Sequence, residues 1–281
     1  LSDFAVLHVA ATEAASIRDF SAAVRASEKS HPSALLGLGI ETLDEHNLCH
    51  TWHFEGFHGH FSASALPRPN QTQADPHKVQ LLNLMRLMQQ DADTSEIADG
   101  LKQDPLLTFR ILRYLNSPAL GLNHHVESIN QAITILGRQR LTRWLAVLLF
   151  SVREPDFSDW LLVESALTRG RLMEVLGAET MPHEAHDPLF LTGIFSCLDR
   201  LLRRPMNEAL DLLPLPKHVR SALLDGSGPY AELLAVAKAS ETFDLQRIAI
   251  AAAAASLQPD TVNRALLAAT AWASEVTDHW E

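Results

Sequence analysis

Ser128-Ile129-Asn130-Gln131-Ala132-Ile133-Thr134-Ile135-Leu136-Gly137 decides the fold class. Ser128 stands where a side-chain oxygen caps a helix, by accepting a hydrogen bond from a free amide of the first turn. Ile129, Ala132, Ile133 and Leu136 then recur at helical spacing and define one apolar stripe. Gly137 suits the left-handed turn that ends such a helix. Upstream, Asp104-Pro105 reads as a cap followed by proline at the first helical position, where its missing amide is harmless. Leu107, Ile111 and Leu115 line one stripe until Asn116-Ser117-Pro118 ends it. Asp93 with Glu96 fits a capping box opening a helix to Gln103, with Ile97 and Leu101 inward. Val79 to Met88 is apolar almost all round, which predicts a buried helix. Downstream, Leu141, Trp144, Leu145 and Leu148 continue the core. Further helices are expected at about 157–176, 188–203, 216–225, 229–240, 244–257 and 260–277. The Ala249–Ala255 run, broken by Ile250, predicts close helix packing. With short connections, no strand alternation and no fixed-period repeat, residues 77–281 read as an all-α bundle.

The composition changes near Pro67-Arg68-Pro69-Asn70-Gln71-Thr72-Gln73, a polar, proline-containing joint. Before it, Phe4–Val9, Ala34–Ile40 and Gly56–Phe61 are short apolar runs of buried-strand length. A helix from about Ala14 to Ala26 separates the first two runs. A second helix, opened by a Thr42/Glu45 capping box and running to about Trp52, separates the last two. Strand, helix, strand, helix, strand is the order of parallel βα units. Residues 1–70 are therefore expected to form a small incomplete α/β segment in a mainly α chain. Its exposed strand edges predict pairing with another copy or with the helical part.

Composition narrows the function classes. Lys plus Arg number 23 against 34 Asp plus Glu, a net charge of −11 in 281 residues. Such a surface repels phosphate backbones and anionic lipid, so neither nucleic acid nor a membrane is expected as a partner. The apolar stretch at Trp144–Phe150 is far shorter than the ~20 residues that span a bilayer. No signal-peptide pattern opens the chain. The two cysteines, Cys49 and Cys197, exclude a disulfide framework and fit the reduced thiols of a cytoplasmic protein.

The run Asp104–Leu107, Leu115–Pro118 and Val126–Gly137 resembles the signature of HDOD domains, helical relatives of the HD-type metal phosphohydrolases. The resemblance extends through Phe190–Arg200 and Leu213–Pro216, and covers about residues 77–277. It implies an HD-like helical fold that is mostly non-enzymatic. The first part resembles the last third of an EAL barrel, the domain that hydrolyses cyclic di-GMP. Gly37-Leu38-Gly39-Ile40-Glu41-Thr42 is similar to that family's Ala-Glu-Gly-Val-Glu-Thr strand end. Gly56–Phe61 is similar to its late Gln-Gly strand, and Phe4–Val9 to its Lys-Ile-Asp strand. This implies that most of the barrel lies upstream of Leu1, in a truncated chain or a naturally reduced relative.

The resemblance also implies which chemistry is missing. An HD enzyme needs a His, a His-Asp pair and a distal Asp to hold the metals that activate water. The pair aligns with Ser196-Cys197, and the upstream helix offers Thr168-Arg169-Gly170-Arg171 where a His is needed. The EAL ligand positions fall on Leu38, His8 and Val6; Glu41 alone matches. No catalytic residue, cofactor site or metal site is therefore expected. Two minority metal sets remain open: His183, His186 and Asp187, read as a solvated loop before a helix, and His46, Cys49, His50 and His53, at helical spacing. His58 and His60 extend the second set. His124-His125 read as a solvated loop, Cys197 as a small core residue, and Asp199-Arg200 with Arg203-Arg204 as an exposed helical face.

The expected function is that of a non-catalytic bacterial signalling protein, a scaffold for other signalling proteins in a cyclic di-GMP setting, with a homo-oligomer in view. The alternative is a metal-dependent phosphohydrolase using His183, His186 and Asp187. A third reading keeps cyclic di-GMP bound to the barrel remnant without cleavage.

Overall fold

The computed structural model describes residues 3–10, 12–27, 33–59, 76–90, 92–103, 107–109, 111–112, 126, 128–150, 157–242 and 244–278. The chain divides into two compact units, residues 1–69 with 155–161, and residues 70–154 with 162–281. The joint at 67–73, the cap at Asp104-Pro105, Leu115–Pro118, His60 and His124-His125 lie outside the described residues.

The first unit alternates β1 (Phe4–His8), α1 (Ala14–Ser27), β2 (Ala34–Leu38), α2 (Leu43–Thr51) and β3 (Gly56–His58). All three strands are parallel in the order β1-β2-β3, with Val6 opposite Leu36 and Leu38 opposite both His8 and His58. β2 stops before Ile40, because Gly39 takes a φ of 68° that breaks the ladder. The Thr42 box forms: Thr42 Oγ1 accepts from the Glu45 amide at 3.2 Å, and Glu45 Oε2 accepts from the Thr42 amide at 3.0 Å. Val9, Ile17, Leu35, Ile40, Cys49 and Phe54 form the unit's core. On the other face of the sheet, Phe4 and Val6 remain 57% and 50% exposed.

The second unit opens with α3 (Pro76–Gln89) and α4 (Thr94–Lys102). α3 is amphipathic rather than buried all round: Leu81, Leu84, Met85 and Met88 face inward, while Val79, Asn83 and Arg86 face solvent. Asp93 occupies the N-cap of α4 as expected, but its side chain makes no capping hydrogen bond. Ile97 and Leu101 are fully buried, as are Leu107 and Ile111 further on.

α5 (Ile129–Leu149) begins where Ser128 Oγ accepts from the Gln131 amide at 3.2 Å. At Gly137 the backbone leaves helical geometry, with φ 71° and ψ 169°. The chain turns there and helical geometry resumes, so Gly137 ends one segment and starts another. That combination of angles is essentially open only to glycine.

α6 (Phe157–Thr180) is followed by a single 3-10 turn (His183–Ala185), α7 (His186–Phe195) and α8 (Leu198–Leu202). The helix expected at 188–203 is thus two, broken at Ser196-Cys197, and Cys197 is a cap residue rather than a mid-helix one. A short α9 (Met206–Leu210), too brief for periodicity to reveal, precedes α10 (Lys217–Leu224), α11 (Ala231–Ser240), α12 (Leu245–Ala254) and α13 (Pro259–Asp278). Within α12 only Ala252 is fully buried and Ile250 is 64% exposed, so most of the alanine run faces outward. One core joins α3, α4, α5 and α7 through Met85, Leu101, Leu145 and Phe190. A second joins α6, α10, α11 and α13 through Met173, Val219, Leu234 and Ala269.

Candidate functional site

The break between α7 and α8 faces α6 across an unusually close approach. A Cβ on Gly193 would lie 2.6 Å from the carbonyl carbon and oxygen of Arg169, and one on Gly170 would lie 3.1 Å from the Phe190 carbonyl oxygen. Two helices meeting backbone to backbone bring the Arg169 side chain, 9% exposed, onto the end of α7. Its Nη1 donates to Ser196 Oγ at 2.8 Å and to the Ser196 carbonyl at 3.5 Å. Ser196 Oγ in turn donates to the Gly193 carbonyl at 2.6 Å. Nη2 of Arg169 donates to Glu241 Oε2 at 2.7 Å, and its Nε donates to Oε1 of the same carboxylate. Glu241 is supplied by the C-cap of α11.

This fork holds a charge that burial opposes. Desolvation works against the guanidinium, but the acidic groups around it raise its pKa beyond the ordinary arginine value. Burial pushes the adjacent Cys197 thiol up, against the pull of Arg169, so it stays protonated. The carboxylate within hydrogen-bond reach of the guanidinium is that of Glu241. Burial, helped by the Arg169 charge, lowers the pKa of Lys238. Ser196 and the Arg169–Gly170 stretch, the positions that the resemblance set against HD metal ligands, meet through the Arg169–Ser196 hydrogen bonds and the Gly193 approach. What joins them is a guanidinium fixed to a carboxylate.

A second polar cluster joins α5, α6 and α7. Arg143 Nη2 donates to Glu174 Oε2 at 2.7 Å, and Nη1 donates to Oε1 and, at 3.4 Å, to Asp187 Oδ1. Arg171 Nη1 reaches Glu174 Oε2 at 2.7 Å. The Arg143 guanidinium stacks 3.7 Å from the centre of the Phe190 ring. His183 and His186 have ring centres 5.0 Å apart, while Asp187 is turned to Arg143. His186-Asp187 opens α7 and follows a 3-10 turn, which corrects the loop reading of these residues.

The histidine-rich set of α2 is gathered only in part. Cys49 is fully buried, and its thiol is pushed up to about 11, chiefly by burial. His46 is buried with its ring centre 4.4 Å from that of Phe57, and burial lowers its pKa. His50 is exposed, and His53 lies beyond the helix with φ 61°, its carbonyl accepting from Arg25. The expected face is formed in part: His46 and His50 stack with ring centres 6.2 Å apart, while Cys49 is in the core and His53 lies beyond the helix. Among the described residues, no three His, Cys, Asp or Glu side chains come together as metal ligands would. In the sheet, Leu38 stands between His8 and His58, and the Glu41 amide is held by Glu45 Oε2 at 2.8 Å. Among the described residues, no helix is long and apolar enough to cross a membrane.

Arg169–Glu241 and Arg143–Glu174–Asp187 were not legible as sites in the sequence. Their partners are 72 and 31 to 44 residues apart. The available signal was an arginine set inside an otherwise apolar helical stripe.

The helical unit carries an HDOD domain, matched over residues 76–208. The protein YuxH of Bacillus subtilis is 32% identical over 166 residues, 58% of this chain and 40% of its own length. The cyclic di-GMP phosphodiesterase CdgJ of Vibrio cholerae is 23% identical over 240 residues, 84% of this chain and 55% of its own. The chain thus spans about half the length of these relatives, or less. Among solved structures, the MmoQ response regulator of Methylococcus capsulatus matches 69% of this chain and 96% of its own at 19% identity and a TM-score of 0.33.

Proposed function

We propose that this chain is a non-catalytic bacterial signalling protein. In this reading the HDOD unit is a scaffold for other signalling proteins, and residues 1–70 are a degenerate EAL remnant. The observation that carries it is the Arg169–Glu241–Ser196 fork. In this reading the Arg169 cation takes the place that the HD resemblance assigns to the metal, and a guanidinium fixed to its carboxylate repels a divalent ion at close range. Cyclic di-GMP signalling in the cytoplasm is the setting, supported by the match to a phosphodiesterase of that nucleotide. Self-association through the edges of the sheet belongs to the same reading.

The alternative, a phosphohydrolase built on His183, His186 and Asp187, is favoured by the proximity of the two imidazoles. The Arg143 guanidinium beside Asp187 opposes it. The test is elemental analysis of chain purified without a nickel column, together with hydrolysis assays on cyclic di-GMP and a generic phosphodiester. Substoichiometric metal and no turnover are expected. Stoichiometric iron, manganese or zinc, lost together with turnover in a His186→Ala, Asp187→Ala variant, would establish the enzyme instead.

A further inference from the structure

Three guanidinium groups line one groove of the helical unit: Arg86 on the outward face of α3, Arg204 beyond α8, and Arg220 on α10. The groove has a volume of about 440 Å³. Leu82 and Leu213 are buried along it, while Val79 and Leu212 stay 43% and 38% exposed. Its one acidic side chain, Asp211, is already paired with Arg220. Among the described residues, neither Arg86 nor Arg204 has an ion-pair partner. In a chain of net charge −11, two unpaired arginines beside exposed aliphatic side chains run against the surface trend.

We propose that this groove docks an acidic peptide segment of a partner protein, its carboxylates on Arg86 and Arg204 and one aliphatic side chain against Val79 and Leu212. The inference rests on the scaffold reading and names its surface. Charge complementarity selects the occupant. A small anion would satisfy the arginines and leave Val79 and Leu212 in water, and a nucleic acid would meet the repulsion of a chain of net charge −11. A peptide carrying both acid and aliphatic groups satisfies both halves of the groove.

The full chain is used to select from a displayed library of random twelve-residue peptides, with the Arg86→Glu, Arg204→Glu variant as counter-selection. Both residues are exposed, and circular dichroism verifies that the variant folds. Enriched peptides are expected to be net acidic, to carry at least one Leu, Ile or Phe, and to bind the variant about tenfold or more weakly. Replacing that aliphatic residue by Ser in the synthetic peptide should weaken binding similarly. No enrichment, neutral or basic peptides, or binding indifferent to the charge reversal would overturn the proposal. Inorganic pyrophosphate that binds alone and displaces the peptide with the same arginine dependence would overturn it in favour of a small-anion site. None of these failures restores metal or turnover, so the non-catalytic reading is judged separately.

Discussion

Gly193 stands directly against the backbone of Arg169, so close that a Cβ would lie 2.6 Å from its carbonyl carbon and oxygen and from the Cα of Gly170. Backbone cannot step aside as a side chain can. Gly193→Ala should therefore destabilise the chain by about 3 kcal/mol, the upper range for overpacking. At Gly177 the obstacle is the tip of the Leu189 side chain. Gly177→Ala should stay within about 1 kcal/mol of the parent, since repacking is offset by alanine's helix preference. Urea unfolding of the two variants checks the contrast; equal losses would mean that the close approach of α6 and α7 is not rigid.

Gly137 separates space from conformation. A Cβ there meets nothing within 4 Å, yet φ is 71° and ψ 169°. Gly137→Ala should lower stability by about 1–3 kcal/mol through backbone strain alone. A thermal melt that fails to shift would show that the elbow in α5 tolerates an ordinary residue.

The Arg169–Glu241 pair should behave as one unit. Glu241→Gln leaves a buried guanidinium without its carboxylate and should cost about 3 kcal/mol. Arg169→Met should cost less, because Glu241 is 37% exposed and can be rehydrated. The double variant should lose less than the sum of the two by at least about 1 kcal/mol. Strict additivity in a double-mutant cycle would deny the coupling on which the proposed loss of metal chemistry rests.

Two glutamates of α6 should respond to pH with opposite sign. At Glu174, burial raises the carboxyl pKa, but Arg143 and Arg171 outweigh it and hold it below the ordinary value. Its stabilisation is complete above the unfolded pKa and is lost as pH falls through the folded one. At Glu164 burial alone raises the pKa, so its relative stabilisation is complete below the unfolded value and lost as pH rises through the folded one. Glu164→Gln should therefore stabilise the chain near pH 7 and Glu174→Gln destabilise it, with both effects shrinking towards about pH 3. Denaturant midpoints across that range give the signs directly.

Both thiols should be silent in the folded chain. Cys49 and Cys197 are buried and held protonated, so an aromatic disulfide reagent at about pH 8 should label neither until denaturant is added. Rapid labelling of the native protein would mean that one of the two helix ends opens readily.

The elements legible in the sequence were those written in local chemistry. The Thr42 box, the Ser128 cap and the stripes through Ile97, Leu101, Ile129 and Ile133 each depend on residues a turn apart, and each took its expected place. What stayed hidden depends on distance along the chain. The break at Ser196-Cys197 follows no Gly or Pro signal. It coincides with the place where Arg169 and Glu241 converge, and neither partner is visible from the other's neighbourhood. The histidines of α2 failed in the reverse way: helical spacing grouped them, but the core claimed Cys49 and the chain turned before His53.

The side of the sheet that bears Phe4 and Val6 carries one more consequence. Parallel strands ordinarily have a layer against each side. A half-exposed apolar pair such as Phe4 and Val6 is sticky in solution, and concentration alone will bring like surfaces together. Cut free and expressed by itself, the segment up to residue 66 should precipitate. A Phe4→Lys, Val6→Thr version of the same fragment should stay in suspension longer, turning a preparative nuisance into a measure of wettability.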